Sequence, residues 1–478
     1  MPTERTRRDF LKLSAAGLAA TRAGEALPAM SALQSEVSHP GDLSLWVTHG
    51  RQRFEKTGGV SWLLSAGAAS TANIRLDPAK RFQEILGFGA AFTDASCFLF
   101  NQLPPDGRAK LFHELFHPSE LGLNVCRTCI GASDYSTELY GFDEGEPDPE
   151  LQRFSIEHDR KYLLPALRQA RRTNPDLFLF SSPWSPPGWM KAGGSMLGGS
   201  MRKKYFSSYA QYFVKFLEAY SAEGIGIQAV TSQNEVDTDQ DGRMPACLWG
   251  QEYEIEFVKQ HLGPALISKG MSTKIWLLDH NYNLWGRVIC CLDDPDLRAY
   301  TNAVAWHGYV GSADMVSKVH AAHPDAEMHW TEGGPDYTSA TYATDWAQWG
   351  RTFTDALRNW CQSITGWNLA LDERGRPNIG PFPCGGLVTI HSQTQQITRS
   401  GQYWALAHFS RMVRRGARRF DSQGDLPQIS HVACQNPDGQ KLLVLSNRGD
   451  RRTVELRLNN LAASLTLEAD SLMTAVWR

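Results

Sequence analysis

Two glutamates stand where a hydrolytic reaction needs carboxylates. Glu235 ends the run Val230-Thr231-Ser232-Gln233-Asn234, and Glu332 closes Trp330-Thr331 and is followed by Gly333-Gly334. Cleaving a glycosidic bond takes one carboxyl group to protonate the leaving oxygen and a second to attack the anomeric carbon or to activate water. Either glutamate alone reads as a strand-end salt bridge or a helix cap; the two together, with those neighbours, read as a catalytic pair. A carboxyl separation of about 5 to 5.5 Å makes such an enzyme retaining. Other apolar runs end in polar and aromatic groups: Thr93-Asp94, Ser133-Asp134-Tyr135, Ser182-Pro183-Trp184, Asp279-His280-Asn281, His307-Gly308-Tyr309 and Trp367-Asn368. Acids beside flat aromatic faces suit a sugar.

Carboxylates this far apart in sequence converge only if the elements before them share one end of a sheet. Strand-like apolar runs occupy residues 85–92, 123–130, 177–180, 227–231, 274–278, 303–306, 327–330 and 364–369. Helix-like stretches lie between them, as a parallel sheet with crossover helices requires. Eight such units predict an α/β fold with a closed (β/α)8 TIM barrel, whose strand ends all face one mouth. An open doubly wound sheet gives a similar string. On the barrel reading, Glu235 closes the fourth strand and Glu332 the seventh, across the mouth from each other. Tyr205, Tyr209, Tyr212, Phe213, Phe216 and Tyr220 recur at helical spacing, and that stripe is predicted to be core.

The chain has 478 residues, 48 basic against 51 acidic side chains, and a formal charge of -3. That length holds a barrel of about 250 residues plus a smaller module. Near-neutrality provides no electrostatic footprint for nucleic acid or an anionic membrane, so a small or neutral partner such as a carbohydrate or glycoside is favoured. Fifteen Trp exceed ordinary usage, and most are assigned to the core. Nine Cys show no pattern of a disulfide framework. Cys126 and Cys129 have the spacing of a ligand pair, but their apolar flanks read as a buried strand, so no metal and no cofactor is expected.

The opening Thr6-Arg7-Arg8-Asp9-Phe10-Leu11-Lys12, followed by an Ala-rich apolar run over 13–20, resembles a twin-arginine export signal. Residues 1–35 are therefore set apart from the fold, with Ala26, Ala29 and Ala32 as candidate cleavage positions, and a periplasmic or extracellular location is expected. No other segment has about 18 uninterrupted apolar residues, so no membrane span is expected in the mature protein.

Several segments resemble the glucosylceramidase-like members of glycoside hydrolase family thirty. They are Leu86-Gly87-Phe88-Gly89, Ala132-Ser133-Asp134-Tyr135-Ser136, the stretch from Ser182-Pro183-Trp184 to Trp189-Met190-Lys191, Val230-Thr231-Ser232-Gln233-Asn234-Glu235, and Trp367-Asn368-Leu369-Ala370-Leu371. The resemblance runs from about residue 83 to the C-terminus. It implies retention and a barrel over 83–400, with a β-sandwich built from strands in 36–82 and in 401–478. It also implies roles: Glu235 as acid/base, Glu332 as nucleophile, Asp134 and Trp184 holding sugar hydroxyls, and Asn234 near the 2-hydroxyl. Tyr309 is placed beside Glu332, His307 among the groups that contact the sugar, Trp367 in the pocket wall, and Arg127 where its cation keeps the nucleophile ionised.

The sequence also departs from the family. Val236 follows the acid/base where the family often has Pro, and the acidic run 237–245 replaces an aromatic lip, which weakens the case for a ceramide aglycone. That run lacks the closing Glu of a calcium loop. The expected function is hydrolysis of β-linked glucosides or β-glucan. Two alternatives stay open. A metal-dependent hydrolase would use His280 and His307 but lacks a His-x-His pair on strand one, and a non-catalytic carbohydrate-binding protein would not need both glutamates.

Overall fold

The computed structural model describes residues 41–65 and 73–478. The twin-arginine-like segment and its candidate cleavage positions lie outside the described residues. No helix among the described residues is long and apolar enough to cross a membrane.

Eight parallel strands close into a barrel: β1 Gly87–Phe92, β2 Val125–Cys129, β3 Phe178–Ser182, β4 Ala229–Thr231, β5 Lys274–Asn281, β6 Ala303–His307, β7 Glu327–Glu332 and β8 Cys361–Gly366. Closure is made by β8 on β1, with Ser363 opposite Gly87 and Gly366 opposite Ala90. The first strand is built of small residues for a steric reason: a Cβ on Gly89 would lie 1.9 Å from the Val125 carbonyl oxygen. β5 runs on to Asn281 and β7 to Glu332, further than the apolar runs suggest, because the polar ends remain hydrogen-bonded in the sheet.

Inside the barrel, Val125, Phe180, Ala229, Trp276, Ala303 and Ala305 form an apolar plug. Such layering of inward side chains is what makes this fold a packed core and not a pore. The aromatic stripe lies on the helix Phe206–Ala222, where Tyr209, Tyr212, Phe213, Phe216 and Tyr220 are all buried. Each side chain of this size contributes about 1.5 to 3 kcal/mol on burial.

The second module is a ten-stranded sheet that interleaves both ends of the chain. Leu43–His49 pairs with Ser471–Trp477, and Asn73–Glu84 lies between Arg418–Gln423 and Arg452–Leu458. The sheet folds over its own apolar face as a β-sandwich, burying Leu43, Leu45 and Ile74 with Leu443, Leu456, Leu465 and Trp477. The helices Trp346–Arg358 and Gly401–Ser410 pack between barrel and sandwich. The barrel's outer layer therefore extends past the expected boundary at residue 400, and the sandwich resumes at Arg418. His408 stitches this junction: its ring nitrogens lie 2.9 Å from the Thr48 hydroxyl and 2.8 Å from the Thr474 hydroxyl. Burial pushes the His408 pKa down to about 3, so it serves as a neutral bridge.

Candidate active site

The site is aimed by irregularities at the C-terminal ends of the strands. On β5, Leu278 pairs with Ala305 and His280 with Trp306, so Asp279 is an extra residue with no opposite number. Leu278 and Asp279 take up this β-bulge with φ of 73° and 49°. A second bulge on β7 leaves Thr331 unpaired between Trp330 and Glu332. Bulges re-aim side chains, and non-glycine residues at positive φ persist only where surrounding bonds hold them. Here they bring Asp279 and Thr331 to one point beneath the mouth, 2.8 Å apart. Glu235 also sits at positive φ, 53°, and its N–H donates to the Asp279 carbonyl at 3.0 Å. Gly333 after Glu332 is obligatory, since a Cβ there would fall 2.3 Å from the Trp330 ring.

Arg127, in the middle of β2 and wholly buried, organises the charges. Its guanidinium donates to the Glu332 carboxylate, to Asn234 Oδ1 at 2.6 Å, to Asp279 Oδ2 at 2.7 Å and to Ser182 Oγ at 3.1 Å. Asp279 accepts in addition from Ser182 and Thr231 hydroxyls at 2.7 and 2.8 Å, and His307 Nε2 lies 3.1 Å from its other oxygen. Burial works against a charge on Asp279, but Arg127 and His307 outweigh it and hold the carboxyl far below its usual range. Burial likewise opposes a charge on His307, yet Glu332, Asp279 and Glu235 raise its pKa to about 9.

The two catalytic candidates therefore sit in unequal surroundings. Glu332 is held by the permanent cation Arg127 and by the Tyr309 hydroxyl, which donates at 3.1 Å. Glu235 touches no Arg or Lys among the described residues. It accepts from Gln240 Nε2 at 2.9 Å, and His280 Nδ1 and His307 Nδ1 each lie 3.6 Å from its Oε1. Burial pushes its pKa up, but the two histidines reverse the direction and hold it below the usual value. His280 is fixed from behind by Asp237, 2.5 Å from its Nε2.

Above this layer the pocket opens with a volume of about 590 Å³, and both glutamates line it. Its base is an aromatic pair: Trp184 and Trp367 stack at 5.1 Å between centroids, and the Arg127 guanidinium lies 4.6 Å from the Trp184 ring. Asp134 lines the same wall. Burial, with Glu332 and Glu235 nearby, pushes its carboxyl well above the usual range. Tyr135 ties the loop after β8 over this wall, donating to the Phe382 carbonyl at 2.7 Å and accepting from the Cys384 N–H at 2.8 Å. The lining above it mixes polar groups, Asp237, Thr238, Gln240, Asn281 and Asn283, with the apolar Val310, Phe382 and Pro383, and the Val310 N–H donates to Asn281 at 3.1 Å.

The barrel and its terminal sandwich have counterparts among known proteins. The glycosyl hydrolase family 30 TIM-barrel domain matches residues 85–413, and the family's beta sandwich domain matches residues 416–475. The chain belongs to glycosyl hydrolase family 30. This family 30 hydrolase is 34% identical to the endo-1,6-beta-D-glucanase of Neurospora crassa over 404 residues, covering 80% of this chain and 83% of that one. It is 28% identical to the lysosomal acid glucosylceramidase of Mus musculus over 398 residues, 78% of this chain and 77% of that one. Among solved structures it is similar to the endo-beta1,6-glucanase BT3312, with a TM-score of 0.82, 29% identity and coverage of 91% and 99%. It is also similar to SrfJ from Salmonella typhimurium, with a TM-score of 0.88, 27% identity and coverage of 92% and 100%.

In the family 30 hydrolase, Asp134, Trp184, Asn234, Glu235, Tyr309, Glu332 and Trp367 all line one cavity, and Arg127 lies directly beneath it. His307 differs from its expected place among sugar-contacting groups. It is wholly buried and absent from the cavity lining, because Asp279 draws its ring down into the barrel. Its ring nitrogens lie 3.1 Å from Asp279, 3.6 Å from Glu235 and 3.7 Å from Glu332. Cys126 and Cys129 do not converge on a metal: alternate sides of β2 send one into the outer core and the other toward the Trp184 wall. The acids of the loop after Glu235 have other partners, with Asp237 on His280 and Asp239 accepting from the Asp241 N–H. Sequence reasoning missed the hub Asp279 and the pairing of His280 with Asp237. A signal existed: Asp279 directly follows the wholly apolar Ile275-Trp276-Leu277-Leu278, and a carboxylate at such a place must find buried partners.

Proposed function

We propose that the protein is a retaining β-glucoside hydrolase in which Glu332 is the nucleophile and Glu235 the acid/base, acting on β-1,6-linked glucan. The observation that carries this reading is the unequal environment of the two carboxylates. A nucleophile must be ionised when substrate arrives, and Glu332 is the one joined to a guanidinium that never loses its charge. An acid/base must gain and lose a proton, and the two imidazoles that hold Glu235 below its usual value are themselves titratable, so they can pass on a proton as the guanidinium on Glu332 cannot. The sugar before the cleaved bond would lie against Trp184 and Trp367, with Asp134 on its hydroxyls. Glu332 attacks the anomeric carbon while Glu235 protonates the departing oxygen, and Glu235 then takes a proton from the water that releases the sugar. Asn234, held by Arg127, presents its amide beside the nucleophile, where a 2-hydroxyl would lie.

The choice of glucan over a lipid glucoside is supported by the leaving-group rim. Asp237, Thr238, Gln240, Asn281 and Asn283 offer hydrogen bonds to a second sugar. Likeness to the fungal endo-1,6-glucanase supports the same choice. The test is a panel of β-1,3-, β-1,4- and β-1,6-glucans, glucosylceramide and aryl β-glycosides, with product configuration read by NMR. The β-anomer from β-1,6-glucan is expected first. Glu332→Ala should lose turnover and, with azide, form the α-glycosyl azide. Initial release of the α-anomer, or full activity in Glu332→Ala, would refute the assignment.

A further inference from the structure

His280 and His307 are oriented in the way of metal ligands. In each ring Nε2 faces a carboxylate, Asp237 at 2.5 Å and Asp279 at 3.1 Å, and such partners fix a metal-binding imidazole. Each Nδ1 is buried, has no hydrogen-bond partner, and points at the same atom, Glu235 Oε1, from 3.6 Å. Two ligand atoms bound to a tetrahedral zinc at about 2.0 to 2.1 Å stand roughly 3.4 Å apart. The three atoms here all lie within 4.8 Å of one another, so small side-chain shifts would close them on one ion. Glu235 and His280 line the cavity, which provides entry and a fourth position for water.

We propose that Glu235, His280 and His307 form a latent site for a divalent transition-metal ion of the zinc and copper class, and that an ion bound there switches hydrolysis off. Two imidazoles and one carboxylate select such ions over magnesium or calcium, which prefer all-oxygen sites. Binding displaces the protons that these groups otherwise hold. An ion on Glu235 then occupies the oxygen that must protonate the leaving group, so inhibition rests on the acid/base role proposed above; binding itself does not.

The test uses full-length protein freed of metal with EDTA and dialysed. It is titrated with ZnCl2 by isothermal calorimetry, while hydrolysis of an aryl β-glucoside is followed in parallel. One Zn²⁺ per chain is expected at micromolar concentration, with hydrolysis falling in step with occupancy and recovering on addition of EDTA. His280→Gln should weaken Zn²⁺ binding at least 10-fold, and Asp237→Asn, whose side chain is partly exposed, by about 10-fold. No one-to-one isotherm, or wild-type affinity in both variants, overturns the site. One bound ion with undiminished hydrolysis, or hydrolysis that requires the ion, overturns the inhibitory role. Calorimetry reads the site whatever the glycoside panel shows, so failure here is distinguishable from failure of the proposed hydrolysis.

Discussion

Asp279→Asn is the most informative single change, because it keeps the shape of the hub and removes one charge. The Arg127–Asp279 pair is wholly buried on both sides. Removing one partner of such a pair costs about 3 to 5 kcal/mol. Glu332 remains on Arg127, so the lower end, about 3 kcal/mol, is expected. The asparagine oxygen can still accept from Arg127, Ser182 and Thr231. Its amide NH₂ then faces His307 Nε2 and the Thr331 hydroxyl, where a carboxylate oxygen accepted before. To accept from that amide, His307 must shed the Nε2 proton and keep one on Nδ1, toward Glu235. His307, with its pKa raised to about 9, is a cation at neutral pH, so the variant exchanges an imidazolium for a neutral ring beside Glu235 and lifts one of the causes that hold Glu235 below its usual value. The alkaline limb of kcat/KM for glucan and alkyl glucosides, which reports the proton on the general acid, should therefore move to higher pH, whereas 2,4-dinitrophenyl β-glucoside, whose leaving group needs no proton, should not show that move. The assays are the pH profiles of kcat/KM on both substrate types and thermal unfolding. A limb that moves to lower pH, or an unchanged unfolding midpoint, would refute the hub reading.

Two further changes probe other parts of the molecule. Tyr309→Phe removes one hydrogen bond to a charged acceptor, worth about 1.5 to 3 kcal/mol, so kcat/KM should fall about 10- to 100-fold. The residue is 44% exposed at the rim, so the unfolding midpoint should not move; a lowered midpoint or unaltered kinetics would contradict the assigned contact. Asp159 is buried between the hydroxyls of Tyr140 and Tyr220 at 3.1 and 2.5 Å, and burial raises its pKa to about 7. A carboxyl with a folded pKa above its unfolded value stabilises below the unfolded value and loses that contribution as pH rises through the folded one. Between pH 4 and 7 it should therefore remove stability on the order of 4 kcal/mol. Asp159→Asn should flatten the decline of the unfolding midpoint over that window, and an identical decline in the variant would exclude Asp159 as its source.

The eight runs that read as strands in the sequence each overlap a barrel strand, because alternation of apolar runs with amphipathic stretches is a local property that closure of the barrel merely uses. The pairing of Glu235 with Glu332 was legible for the same reason: position at a strand end is written in the residues that precede it. So was the aromatic stripe of Phe206–Ala222, since helical spacing fixes which side of the helix is buried.

Other features depend on how strands meet. That Asp279 is an extra residue in β5 follows from its register against β6, and register is a relation between strands that no stretch of sequence contains. The bulge decides that Asp279 receives Arg127 and His307, that His307 leaves the cavity wall, and that His280 turns toward Glu235. The pairing of Asp237 with His280 likewise joins the loop after β4 to the end of β5. The sequence by itself determined which carboxylates reach the mouth and on which elements. Tertiary structure decided which meets a fixed cation and which meets imidazoles, because those surroundings are made by groups that β2, β5, β6 and β7 bring together from distant parts of the chain.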